Sequence, residues 1–119
     1  MKFYNQVINI DAHLWCSILQ DHSITNDAIT AILMLPYGSR GFESSGGAIA
    51  SALGYSHHAP LNRIGPDFSK RILKKYDHIK PPLRADGRIR YWHVPFLGTE
   101  GNGKFSWILR HELAEAVSG

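Results

Sequence analysis

The sequence predicts an α+β fold: a helical N-terminal part, a two-stranded β-hairpin and a short C-terminal helix. Three observations predict it. Apolar residues recur at helical spacing from Leu14 to Tyr76. After Pro81-Pro82 the period changes to two, in RIRYWHVPF (88–96) and KFSWILR (104–110). The glycine-rich run GTEGNG separates these two alternating stretches, as in a hairpin.

Residues 1–10 alternate loosely through Phe3, Val7, Ile8 and Ile10, which suits a short strand or an extended arm. Asp11 is placed to cap a first helix carrying Leu14, Trp15, Ile18 and Leu19. His22 and Ser23 interrupt it. Ser23 or Thr25 caps a second helix, with Ile24, Ala28, Ile29, Ile32 and Leu33 on one face, and Pro36-Tyr37-Gly38 ends it. Residues 38–47, GSRGFESSGG, read as a polar loop. Ser44 or Ser45 caps a third helix, with Ile49, Ala50 and Leu53 inward and Gly54 as its stop. Ser56 caps a fourth, with Pro60 in the first turn, where a missing N–H costs nothing. Leu61 and Ile64 face the core. Gly65-Pro66 is expected to kink or break this helix before Phe68, Ile72, Leu73 and Tyr76 resume the pattern. Glu112–Val117 reads as the last short helix.

A length of 119 residues fits a single domain, 1–119, and the ending soon after the last helix fits a fragment of a longer protein. The one cysteine, Cys16, excludes an internal disulfide and a cysteine-rich zinc site. The N-terminus lacks a cleavage site and an unbroken apolar core, and no apolar run reaches the ~20 residues of a membrane helix. A reduced, cytoplasmic location without membrane contact is expected, and no cofactor.

Charge is distributed unevenly. Residues 63–90 hold nine basic and three acidic residues, a net +6, and the remainder holds four basic and seven acidic, a net −3. A basic third beside a mildly acidic remainder is the sequence footprint of a polyanion-binding surface, although a solvated lysine-bearing helix has the same composition.

The stretch ALGYSHHAPLNRIG (52–65) joins the third and fourth helices. A helix-turn-helix needs a small residue where the second helix crosses the first, then an apolar residue, a glycine for the positive φ of the turn, and an apolar–hydroxyl start to the second helix. Ala50, Leu53, Gly54, Tyr55 and Ser56 fill these roles in order. Leu61 and Ile64 come about one residue late for the tightest version, so the turn is expected to be slightly longer. With the hairpin behind it, the order is that of a winged helix-turn-helix. Ser56, His57, His58, Asn62 and Arg63 are then the base-reading candidates: asparagine bonds adenine bidentately and arginine guanine. Each histidine taken singly is nearly as well explained as a helix-end surface residue. Lys70, Arg71, Lys74, Lys75, Arg88, Arg90 and Lys104 are candidates for phosphate contact. Six or so neutralised phosphates give a log–log salt slope of roughly −5. Trp15 and Trp107 are expected in the core, whereas Tyr55, Tyr91 and Trp92 are candidates to stack on an extruded or modified base.

The run GGAIASALGYSHHAPLNRIGPDFSKRI, followed by RYWHVPFLGTEGNGKFSWILRHELAEAV, resembles the N-terminal DNA-binding region of bacterial HNH-class restriction endonucleases of the modification-dependent type. The matching features are Leu53-Gly54-Tyr55, Asn62, Lys70-Arg71-Ile72, Trp92, Pro95-Phe96, Gly103-Lys104-Phe105, Trp107 and Arg110–Ala116, within residues 12–117. Pro66 departs from the pattern and bears on the length of the recognition helix. The resemblance implies a target-recognition module for double-stranded DNA, methylated or otherwise modified, with a nuclease domain in cis beyond Gly119 and no catalysis by these residues.

Two other readings compete. In the first, the chain is itself a metal-dependent HNH nuclease, with Asp77-His78-Ile79-Lys80-Pro81 as the first strand of the site and Asn102 and His111 as later members. In the second, it is a protein–protein adaptor. The adaptor predicts no salt-sensitive DNA binding, and the nuclease predicts metal-dependent cleavage lost in His78→Ala. A zinc site from His57, His58 and His93 has no supporting spacing.

Overall fold

A computed structural model describes residues 2–57, 59–101 and 103–119. The chain forms β1 (Lys2–Tyr4), α1 (Ala12–Gln20), α2 (Asp27–Tyr37), a 3-10 turn (Arg40–Phe42), β2 (Glu43–Ser45), α3 (Gly46–Ala52), α4 (Leu61–Lys75), a second 3-10 turn (Tyr91–His93), β3 (Phe96–Gly101), β4 (Lys104–Leu109) and α5 (His111–Ser118). The strands make one antiparallel sheet in the order β1-β3-β4-β2. Among the described residues no helix is long and apolar enough to cross a membrane.

Side-chain caps set the helix starts. Asp11 accepts from the Leu14 amide at 2.8 Å, as its position in the sequence predicts. The second helix begins later than Ser23 or Thr25, because Asn26 supplies the cap at 3.0 Å from Ile29 N. Ser23 instead bonds Asp21, and buried Thr25 donates its hydroxyl to Ile18 O at 2.7 Å. Ser45 caps α3, and Gly54 follows it with φ +82°. The core joins Trp15 and Ile18 of α1, Ile29, Ile32 and Leu33 of α2, Phe68 and Ile72 of α4, Phe96 and Leu109 of the sheet and Leu113 of α5.

Four further expectations are corrected. The fourth helix starts at Leu61 and not at Ser56; Ser56, His57 and Ala59 precede it, and the Ala59 amide bonds His57 Nδ1. Gly65-Pro66 does not break it: α4 runs unbroken to Lys75. Leu61, Gly65, Phe68, Ser69 and Ile72 form one buried stripe along its length, and burial of that stripe outweighs the single backbone bond that Pro66 cannot make. The polar loop 38–47 contains β2, which completes the sheet by pairing Glu43 with Ile108, Ser44 with Trp107 and Ser45 with Ser106. Phe42 precedes it at φ 57°, a position held by stacking on Tyr37 at 5.9 Å.

The fourth correction concerns RIRYWHVPF. It is not a strand until Phe96. Pro95 has no amide to contribute, and the buried guanidinium of Arg110 claims the carbonyls that a ladder would use. Arg110 donates to Val94 O at 2.9 Å, to His93 O at 2.6 Å and to Gln6 O at 2.8 Å. Burial pushes its pKa down to about 10, which still leaves it charged at neutral pH. The hairpin strand is made instead from Phe96–Gly101, so most of GTEGNG is ladder, and Gly101 pairs with Lys104.

His93 is buried beneath this arrangement, with Nδ1 3.1 Å from Phe96 O. Burial, aided by the nearby Arg90 and Arg110 charges, holds its pKa near 4 against an ordinary 6.5. The unfolded chain therefore binds a proton between pH 6.5 and 4 that the folded chain refuses. Stability is full above pH 6.5 and falls as the pH drops to about 4, by on the order of 3 kcal/mol. Urea unfolding of His93→Gln across this window is expected to show a flatter profile; an unchanged profile would assign the acid sensitivity to other groups.

Candidate nucleic-acid interface

Helix α4 holds six of the candidate residues: Asn62, Arg63, Lys70, Arg71, Lys74 and Lys75. Its apolar stripe is fixed against the core, so the remaining positions are sorted by geometry. Arg63, Lys70 and Lys74 share the outward side at spacings of seven and four residues, and all three are exposed. Asp67 is on that side as the one acid of the helix, half-buried. Among the described residues, Arg63, Lys70, Lys74 and Lys104 have no acidic side chain within 4.0 Å. The Lys70 ammonium sits 5.2 Å from the centre of the Tyr91 ring.

The other basic candidates have partners within the protein. Arg71 donates Nε to Ile24 O at 2.8 Å and buries Nη2, so it ties α4 to the α1–α2 connection instead of facing fully out. Lys75 pairs with Asp21, and this contact, with hydrogen bonds from Ser23, holds the Asp21 carboxyl down at about 2. The Arg90 guanidinium lies 5.0 Å from the Tyr4 ring centre and bonds Leu83 O. Arg88 is exposed and 3.6 Å from Asp86, a pair too solvated to hold it strongly.

Asn62 and the hairpin face one cleft. Asn62 lines a cleft of about 630 Å³ together with Lys104, Gly103, Trp92, Phe105 and Trp107. Ser45 and the paired glycines Gly46 and Gly47 form part of the same wall. Ser56 and His57 are exposed in the connection before α4, and His58 lies outside the described residues. Tyr55 is half-buried against the core. Tyr91 holds Ser69, whose hydroxyl donates to its carbonyl at 2.5 Å.

The aromatic wall has a definite construction. Alternation along β4 puts Phe105, Trp107 and Leu109 on one face, with Tyr4 of β1 and Phe96 of β3 beside them. Trp92 stacks on Trp107 at 4.4 Å, and Phe105 touches Trp107 at 4.3 Å. Trp107, placed with the core in the sequence reading, is half-buried and reaches the cleft. Phe105, which the sequence marks only as a feature of the resemblance, lines the cleft too, and its two-residue spacing from Trp107 is the signal that puts both on one face. Two glycines make room. A methyl at Gly65 would lie 2.6 Å from the Trp92 ring, and one at Gly98 would lie 2.8 Å from Phe105.

The strand that an HNH site requires at 77–81 is a turn closed by Ile79 N on Tyr76 O. His78 is exposed and edge-on to Tyr76, and His111 pairs with Glu115 on α5. Asn102 lies outside the described residues. Among the described residues no three His, Cys, Asp or Glu side chains gather as a metal site.

No family model, curated protein or solved structure matches this chain.

Proposed function

We propose that this domain binds double-stranded DNA as a winged helix-turn-helix, with α4 as the recognition helix and the β3–β4 hairpin as the wing. The observation that carries the proposal is the row of exposed cations without acidic partners, Arg63, Lys70 and Lys74, on a helix whose first turn shares a cleft with Lys104 of the hairpin. A duplex presents phosphates at regular spacing, and such a row neutralises several at once. The order helix, short strand, helix, glycine turn, helix and hairpin, with β2 alongside β4, supports the winged arrangement.

Within this reading Asn62 and Arg63 contact base edges, and Lys70, Lys74 and Lys104 hold phosphates. A place as target-recognition module of a restriction endonuclease, acting on methylated or otherwise modified DNA, rests on the resemblance of the 46–72 and 90–117 runs and belongs to the same proposal.

The roles separate in a gel-shift series with plain, methylated and hydroxymethylated duplexes. Asn62→Ala and Arg63→Ala are expected to flatten preference among duplexes, by roughly 1–3 kcal/mol at the affected position. Lys74→Ala is expected to weaken every duplex alike. Equal losses from all three would contradict the assigned roles.

A further inference from the structure

We propose that the cleft between the first turn of α4 and the hairpin receives a single nucleobase turned out of the duplex. The inference rests on the DNA-binding reading and adds a ligand to its surface.

The cleft has the size range of small-ligand sites, about 630 Å³. One wall is the fused set of rings Trp92, Trp107 and Phe105, all half-buried, so each keeps ring surface facing outward. Flat π-surface of this kind takes any base by stacking. The wall is rigid, because each ring is braced by its neighbour and Trp92 is also pressed against Gly65. Asn62 stands at the cleft with a carboxamide, which offers both a donor and acceptors to the polar edge of a base. Lys104 supplies a cation for the phosphate that travels with the turned-out nucleotide. No aspartate or glutamate lines the cleft. An aromatic slot lined by one cation, Lys104, and by no acid fits an anionic aromatic ligand, a nucleotide, better than an apolar peptide.

The test compares two duplexes of one sequence, fully paired and with one central mismatched pair, which is easier to open. The intact chain is expected to bind the mismatched duplex about tenfold more tightly. Gly47→Phe fills the cleft from a position where an added Cβ meets nothing within 4 Å, so the fold is preserved. It is expected to bring the ratio close to one while paired-duplex affinity and its salt slope stay within about threefold. Asn62→Leu, at an exposed position, is expected to lower the ratio as well. A ratio near one for the unaltered chain, or an unchanged ratio in both variants, overturns the base-binding cleft and leaves duplex binding standing. Failure to bind either duplex overturns both.

Discussion

Lys70→Glu combined with Lys74→Glu is expected to lower affinity for duplex DNA on the order of 100-fold at about 0.1 M salt. Both side chains are exposed, on the outward side of α4 and distant from the buried stripe of Leu61, Phe68 and Ile72. The substitutions remove two phosphate contacts and add two repulsive charges, yet leave the core untouched. Thermal stability should therefore stay within about 1 kcal/mol of the parent, as for other surface changes. The control is Lys75→Glu. Lys75 is engaged by Asp21, so its removal should cost far less DNA affinity. Fluorescence-anisotropy titrations of the variants would settle the comparison, and equal losses from Lys75→Glu and from Lys74→Glu alone would mean that general charge, not the face of α4, determines binding.

Gly65→Ala is expected to destabilise the fold by about 2 kcal/mol, against the ordinary direction of the change. In a helix interior alanine is favoured over glycine by up to about 1 kcal/mol. Here the added methyl lies 2.6–2.9 Å from three carbons of the Trp92 ring. That ring cannot retreat cheaply, because Trp107 stacks behind it and Phe96 lies 5.9 Å away. Overpacking of this kind typically costs 1–3 kcal/mol and forces neighbours off their rotamers, so the clash outweighs the propensity gain. The same displacement should disturb the cleft, with altered tryptophan emission as its signature. A variant of equal or higher melting temperature with unaltered emission would show that Trp92 is free to move and that the wall is not rigid.

Periodicity carried most of the helical part. The apolar spacing from Leu14 to Leu19 and from Phe68 to Leu73 follows burial in α1 and α4 because both helices lie on a single core. Local chemistry was less informative where tertiary contacts decide. RIRYWHVPF alternates like a strand, but Arg110, fourteen residues beyond its last residue Phe96, takes the His93 and Val94 carbonyls that a strand would need. The mismatch between Gly65-Pro66 as a breaker and α4 as a continuous helix has a similar cause: the glycine is a close approach to Trp92, invisible until the two segments are brought together. Glu43-Ser44-Ser45 has no apolar alternation, and its pairing with β4 is made by the backbone.

The proposed interface was legible in part. Exposure of Arg63, Lys70 and Lys74 follows from the burial of Leu61, Phe68 and Ile72 by helical geometry alone. Helical geometry does not say that Arg71, one position from the outward stripe, turns inward to Ile24 O. Nor does sequence distance announce that Asn62 and Lys104, forty-two positions apart, line the same cleft.

The central claim is that cations of α4 and the hairpin grip the phosphates of a duplex. The salt dependence of duplex affinity tests it most directly. With Lys70, Lys74 and Lys104 as the phosphate-contacting set, the slope of log affinity against log salt should be about −2.7, falling in magnitude by about one unit in Lys74→Ala. A slope near zero, or the same slope in Lys74→Ala as in the parent chain, would contradict it.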